Sequence, residues 1–141
     1  MDYRRFDDTI VMVLHVGDEI VSSIADVCRR EKIRLGWVQG LGACDRAVLG
    51  LYDVPSRTFI KKEFEGAYEI PSLHGNISVK DGEPYLHLHM TVADETLNCF
   101  GGHLVECRIS ATAEIFIRCI EGTAGRVLDE EVTGLNLLDL K

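Results

Sequence analysis

The chain has 141 residues, the length of one globular domain, and its 46% hydrophobic content is sufficient for a single core. Its formal net charge of -8 at pH 7 argues against nucleic-acid binding, which usually requires a basic surface. We expect a protein that is neither secreted nor membrane-spanning, because there is no signal-like start and no long apolar run. The five cysteines are odd in number and lack CxxC spacing, which fits a reducing cytoplasm.

The first part of the chain predicts a strand and then the main helix. Residues 9–14 form a short, continuous apolar run rich in β-branched side chains, which is typical of a buried strand. Asp18 is the predicted N-cap of the helix that follows, and apolar residues recur at helical spacing from Ile20 to about Lys32. The basic residues at 29–34 are interpreted as a solvated helix end, where cations offset the helix dipole.

The rest of the chain predicts strands joined by short turns. The predicted strands are residues 33–39, 43–52 and 58–64, one or two short strands within 68–73 and 76–79, the histidine-bearing run 85–92, and residues 111–120. One helix and many strands predict an α+β domain with a mostly antiparallel central sheet.

Two glycine-containing segments and the C-terminal stretch complete the pattern. Asp81-Gly82 favours a hairpin turn, because both residues accept positive φ. The segment 40–43 joins two predicted strands and opens no helix, so it predicts a tight turn or bulge, not a dinucleotide-binding loop. The leucine-rich stretch 127–140 predicts either a final strand paired with the sheet or an apolar tail docked on a neighbour.

Three histidines carry the clearest chemical signal. Polar and apolar residues alternate in the run 85–92, so His87 and His89 share one face of the predicted strand, with Cα atoms about 7 Å apart. His103 follows a pair of glycines and opens a second apolar run. Three neutral ring nitrogens suit zinc, and nickel, copper or cobalt can compete for them. The pattern therefore predicts a half-open site for a divalent metal ion.

The sequence leaves the fourth ligand of this site open. Glu69, Glu114 and His74 are candidates, as is a carboxylate from a neighbouring subunit. Cys99 is interpreted as a small loop hydrophobe and not as a ligand. If the open position activates water, Glu69 or Glu114 is the candidate catalytic acid or base for hydrolase or lyase chemistry. If it does not, the metal only braces the sheet or a contact between subunits.

Six short elements occur in a characteristic order, which is Gly40-Leu41-Gly42-Ala43, Tyr68-Glu69-Ile70, Asp81-Gly82, His87-Leu88-His89, Gly101-Gly102-His103-Leu104 and Thr112-Ala113-Glu114-Ile115. In this order they resemble the plant and prokaryote conserved (PPC) domain, which is also found in plant AT-hook nuclear proteins. The resemblance extends from about residue 6 to about residue 138, so residues 1–141 are interpreted as one PPC-like domain. It implies a compact domain with a largely antiparallel sheet, assembly as a homotrimer, and zinc binding by His87, His89 and His103.

Three functions follow from the residues and the resemblance, and whether the protein is an enzyme stays open. The first is a stand-alone, homotrimeric zinc-binding module with an assembly or regulatory role, for which a protein partner is a candidate. The second is a zinc-dependent hydrolase or lyase acting on a small substrate. The third is DNA binding, as in the plant relatives. It is disfavoured because no AT-hook is present and a trimer would carry three times -8, or -24.

Overall fold

Six strands of the protein form one central antiparallel sheet, in a computed structural model that describes residues 1–141. The elements in chain order are β1 (Asp2–Phe6), β2 (Thr9–His15), α1 (Ile20–Arg30), β3 (Gly36–Asp53), β4 (Thr58–Lys80), β5 (Glu83–Ala93), β6 (Cys99–Cys119), β7 (Gly125–Leu128) and β8 (Asn136–Asp139). The strand order is β1-β2-β6-β3-β4-β5, and β5 also pairs with β6, so this end of the sheet closes on itself. The predicted α+β class with one helix is confirmed.

Three strands are much longer than the sequence predicts. The predicted strands 33–39 and 43–52 are one strand, β3, whose pairing with β4 shifts register between Gly40 and Gly42. The segment 40–43 is therefore a bulge inside a strand and not a turn. The strands predicted within 58–79 are likewise the single strand β4, and the predicted late strand 111–120 is the second half of β6. Bulges let these strands bend and continue where a sequence pattern breaks.

The start of the helix also differs from the prediction. Glu19, and not Asp18, is the N-cap: its carboxylate accepts hydrogen bonds from the backbone N–H groups of Val21 (2.9 Å) and Ser22 (2.7 Å). Asp18 is engaged elsewhere, because its carboxylate lies 2.8 Å from the N-terminal ammonium of Met1 and accepts a hydrogen bond from the backbone N–H of His15. The 11-residue α1 is the one helix, and no helix here has the length and apolar character needed to cross a membrane.

The core lies between α1 and one face of the sheet. Along β2 the alternate residues Ile10, Met12 and Leu14 are fully buried, and they join Ile20 and Ile24 of the helix in a single apolar cluster. Fully burying one such side chain contributes roughly 1.5–3 kcal/mol. Because strand residues alternate between faces, the same packing directs the intervening residues to the outer face of the sheet.

The C-terminal stretch forms a small sheet of its own. Strands β7 and β8 pair with each other in an antiparallel hairpin and do not join the central sheet. The prediction of a final strand paired with the sheet is therefore wrong. Arg126 of β7 instead ties the hairpin to β4, because its guanidinium donates hydrogen bonds to Ser78 Oγ (2.8 Å) and Asn76 Oδ1 (2.6 Å). The hairpin consequently stands beside the outer face of β4 and β5.

Candidate metal centre

The three predicted histidines lie on the outer face of the sheet, where β5 pairs with both of its neighbours. Leu88 and Met90 of β5 are buried in the core, which directs His87 and His89 away from it. His89 is paired with His103 of β6 on one side and with His74 of β4 on the other. The closure of the sheet thus brings together residues that are 14 positions apart in sequence.

The ring nitrogens of His87, His89 and His103 converge. The potential ligand atoms of the three residues lie within 4.8 Å of one another, and Nε2 of His87 is 3.3 Å from Nε2 of His89. The centroid of the His103 ring is 5.4 Å from that of His87 and 5.5 Å from that of His89. The ring of Phe59 contacts His103 edge-on at 5.7 Å between centroids and limits where that imidazole can turn.

The surroundings keep these imidazoles neutral. Partial burial lowers the pKa of all three below the usual 6.5, because the charged form loses hydration. Neighbouring groups lower it further: His89 and Arg126 act on the pKa of His87, and His87 and His89 act on that of His103. A neutral imidazole offers a free lone pair, so near pH 7 the cluster is ready to bind a cation without first losing protons.

The geometry and the donor set fit a zinc ion. Two nitrogens bound to zinc at 2.0–2.1 Å with a tetrahedral angle are separated by about 3.3 Å. The Nε2 atoms of His87 and His89 are 3.3 Å apart. No fourth His, Cys, Asp or Glu joins the group within residues 1–141. Three nitrogen donors with an open position are the ligand pattern of catalytic and ligand-binding zinc sites, whereas structural sites are closed by four protein ligands.

The histidines line a cavity of about 850 Å³. Its apolar walls come from β3, the start of β4 and the β7–β8 hairpin, including Phe59, Leu137 and Leu138. Besides the histidines, its polar lining residues are Tyr52, Asn76, Tyr85, Arg126 and Asn136. A cavity of this volume, largely apolar with a few convergent polar groups, has the form of a small-molecule site.

Comparison with known proteins identifies the family. The model of the Plants and Prokaryotes Conserved (PCC) domain matches residues 1–121. The chain belongs to this family. The resemblance to the PPC domain that the sequence motifs indicate is thereby confirmed.

Solved structures resemble this PCC-domain protein over nearly its whole length. A PPC protein of Pyrococcus horikoshii has a TM-score of 0.84 and 30% identity, covering 99% of this chain and 95% of that one. A metal-containing protein of Archaeoglobus fulgidus has a TM-score of 0.86 and 30% identity, covering 96% and 95%. A candidate DNA-binding protein of Bacteroides thetaiotaomicron has a TM-score of 0.94 and 26% identity, covering 98% and 96%.

One curated relative shares only a segment with the chain. The bifunctional protein GlmU of Synechococcus sp. is 31% identical over 106 residues, which are 74% of this chain and 16% of that protein. The chain therefore spans a small part of that relative's length.

The other predicted site residues lie apart from the three histidines. Glu69 is paired with Ala93, four positions beyond His89 and so roughly 13 Å along β5. Glu114 is eleven positions from His103, roughly 36 Å along β6. Neither glutamate lines the cavity, because each belongs to a part of its long strand that runs away from the site. The strands are longer than predicted, and the distances along them grow accordingly.

His74 and Cys99 are closer to the site but do not join it. His74 lies directly across from His89, with 6.4 Å between ring centroids, and its Nδ1 hydrogen-bonds with Ser72 Oγ. Cys99 is exposed and paired with Ala93 at the start of β6. Neither contributes a ligand atom to the cluster of three.

Sequence reasoning missed the polar residues around the histidines. Tyr85 shares a strand face with His87 and His89 and could have been found from the same alternation. Asn76 is paired with His87 across β4 and β5, which requires the register. Arg126 and Asn136 have no local signal, because they enter the site only through the β7–β8 hairpin.

Proposed function

We propose that this PCC-domain protein binds one zinc ion per chain through His87, His89 and His103. The observation that carries the proposal is the convergence of three neutral ring nitrogens, two of them 3.3 Å apart, at the edge of a cavity. The name of the Archaeoglobus relative, a metal-containing protein, agrees with this assignment. Nickel, copper and cobalt suit the same nitrogens, so the metal-content measurement decides among them.

The cavity favours a second, more specific function, which is a zinc-dependent hydrolase or lyase acting on a small substrate. A metal that only braces a fold is enclosed by four protein ligands, whereas here three ligands face a volume of about 850 Å³. The chemistry that zinc supplies at such a site is Lewis acidity toward an oxygen of the substrate. The residues of the chain then bind and orient that substrate. No carboxylate of the same chain lines the cavity, and of its two tyrosines the hydroxyl of Tyr52 already donates to the backbone carbonyl of Thr133, so Tyr85 is the candidate for proton exchange.

We also propose that the protein assembles as a homotrimer. If the protein has no catalytic activity, the trimer would have a regulatory or assembly role. Support comes from the outer face of the sheet, where Trp37, Leu41 and Phe116 are 45%, 56% and 47% exposed on adjacent strands. Covering such an apolar patch favours association. Light scattering should give about 47 kDa, three times the 15.7 kDa of one chain. A mass of one chain for the wild type would contradict the assembly.

The zinc assignment is tested by metal content. Protein purified without chelator or histidine tag should contain one zinc per chain by elemental analysis, and the double variant His87→Ala, His89→Ala should contain none. His74→Ala is the matched control, because this histidine stacks on His89 but lies outside the cluster, and it should retain the metal. Zinc retained at full stoichiometry by the double variant would overturn the assignment.

A further inference from the structure

Arg126 is the one arginine that is both partly buried and without an acidic partner. The other arginine that is not exposed, Arg46, lies between the carboxylates of Glu63 and Glu106. No carboxylate pairs with Arg126, although the chain has 23 acidic residues against 15 basic ones. Withdrawing an unpaired guanidinium from water is unfavourable, so a cation placed in this way indicates an anion that the chain itself does not supply.

The guanidinium is nevertheless held in a defined position. It donates hydrogen bonds to Ser78 Oγ (2.8 Å), Asn76 Oδ1 (2.6 Å) and the backbone carbonyl of Asn136 (3.2 Å), and it lies 4.7 Å from the centroid of the Tyr85 ring. All of these acceptors are neutral. An arginine has five N–H donors, so two remain after these three bonds. Two donors on a fixed plane are the arrangement that binds a carboxylate.

We propose that the cavity binds a small organic acid, whose carboxylate pairs with Arg126 while its apolar body lies against Phe59 and the leucines of the β7–β8 hairpin. This inference rests on the proposed function, because the cavity that it describes is the one beside the three histidines. It names the class of ligand or substrate for that site.

The lining of the cavity favours a carboxylate over a phosphate. Arg126 is the single positively charged side chain among the lining residues, whereas phosphate sites gather several cations or the backbone N–H groups of a helix N-terminus. One cation matches one negative charge. The mostly apolar remainder, which includes Leu51, Leu137 and Leu138, matches a hydrocarbon body.

Asn136 adds a second polar contact for such a ligand. It lines the cavity, and its Oδ1 is buried without any hydrogen-bond donor. A buried acceptor without a partner is uncommon, because it has given up hydration without compensation. A rotation of the Asn136 amide toward the cavity would let a hydroxyl or amino group next to the carboxylate of the ligand satisfy this acceptor.

The experiment compares hexanoate with the neutral hexanamide by calorimetry, on zinc-loaded and on chelator-treated protein at neutral pH. Hexanoate should bind the wild type at least tenfold more tightly than hexanamide, and more tightly than inorganic phosphate. Arg126→Gln should remove this preference while its zinc content stays at the wild-type value. Arg57→Gln is the matched control, since this exposed arginine also donates to carbonyls of the C-terminal segment but does not line the cavity.

The outcomes separate the two proposals. Equal binding of hexanoate and hexanamide by the wild type overturns the carboxylate site, whether or not the variant folds. The same follows if zinc-loaded Arg126→Gln binds hexanoate as tightly as the wild type, which would assign the carboxylate to the metal alone. If phosphate binds more tightly than hexanoate and this binding depends on Arg126, the assignment of an organic acid as the ligand is overturned. If the wild-type protein holds no zinc but binds hexanoate more tightly than hexanamide, and Arg126→Gln loses this preference, the zinc assignment is overturned and the anion site is supported.

Discussion

Replacing Gly75 by alanine should disturb the metal centre from the opposite face of the sheet. Gly75 in β4 is paired with Leu88 in β5, and a Cβ added there would lie 2.0 Å from the carbonyl oxygen of His87 and 2.8 Å from the Cα of Leu88. Ordinary contacts begin at 3.4 Å. The shortfall against the His87 carbonyl is thus 1.4 Å, the difference between 3.4 and 2.0 Å. The obstacle is backbone, so strand β5 itself has to move.

The magnitude follows from that displacement. Overpacking of this kind costs about 1–3 kcal/mol. At about 4 °C per kcal/mol for a domain of this size, Tm falls by about 4–12 °C. His87 is carried by the displaced peptide unit, so zinc affinity should fall about 10–100-fold, as it does when the support of a ligand is lost. Differential scanning calorimetry of the metal-free protein and competition with a zinc-binding dye measure the two effects separately.

Gly101→Ala is the matched control for this substitution. Gly101 also lies on a strand beside the site, but the nearest atom to an added Cβ is the carbonyl oxygen of Met90 at 3.4 Å, an ordinary contact. The stability of Gly101→Ala should stay within about 1 kcal/mol of the wild type, because alanine also reduces the conformational freedom of the unfolded chain. If Gly75→Ala has the same Tm and the same zinc affinity as Gly101→Ala, β4 and β5 do not approach closely at this point.

Three further predictions concern the site, the helix and the charge. The pKa values of His87, His89 and His103 are lowered from 6.5, so each ring is still mostly neutral at pH 6.5. Zinc retained after dialysis should therefore be constant from about pH 8 to 6.5 and decline only below that value, and loss that starts above pH 7 would contradict the lowered pKa values. Glu19→Ala should destabilise the fold by about 0.5–2 kcal/mol in urea titration, because the helix loses its cap. Asp26→Ala, which removes only an ion pair with Arg30 on the same helix, should change the stability by less than about 0.5 kcal/mol. The net charge of -8 predicts no retarded DNA band in a gel-shift assay even at low salt, and a band that weakens steeply with added salt would refute this.

The alternation of side chains in β5 was readable from the sequence, and it placed His87 and His89 on one face. The alternation alone did not show that His103 lies beside His89, because their proximity depends on the pairing of β5 with β6 and hence on closure of the sheet. The lengths of β3, β4 and β6 could not be predicted in the same way. Register shifts such as the one between Gly40 and Gly42 interrupt the alternation without ending the strand.

The sequence did not predict Glu19 as the helix cap or Arg126 as a residue of the cavity, for different physical reasons. Aspartate is a better N-cap than glutamate in general, but here the carboxylate of Asp18 is taken by the N-terminal ammonium, a contact that links the two ends of the segment 1–18. Arg126 is separated from Asn76 by 50 positions, and its surroundings depend on how the β7–β8 hairpin is anchored. Local pattern carries no information on either contact.

The register of β5 against β6 ties the metal centre to the core. Side chains alternate with a period of two, so a slip of one residue in this pairing would turn His103 to the face occupied by Leu88 and Met90. Leu104, which follows it, is buried on that face and would be driven into solvent by the same slip. The apolar residues that stabilise the fold therefore also determine which way His103 points. A site built in this manner needs no dedicated loop to position its ligands, and this leaves the β7–β8 hairpin free to supply the walls of the cavity and its single cation.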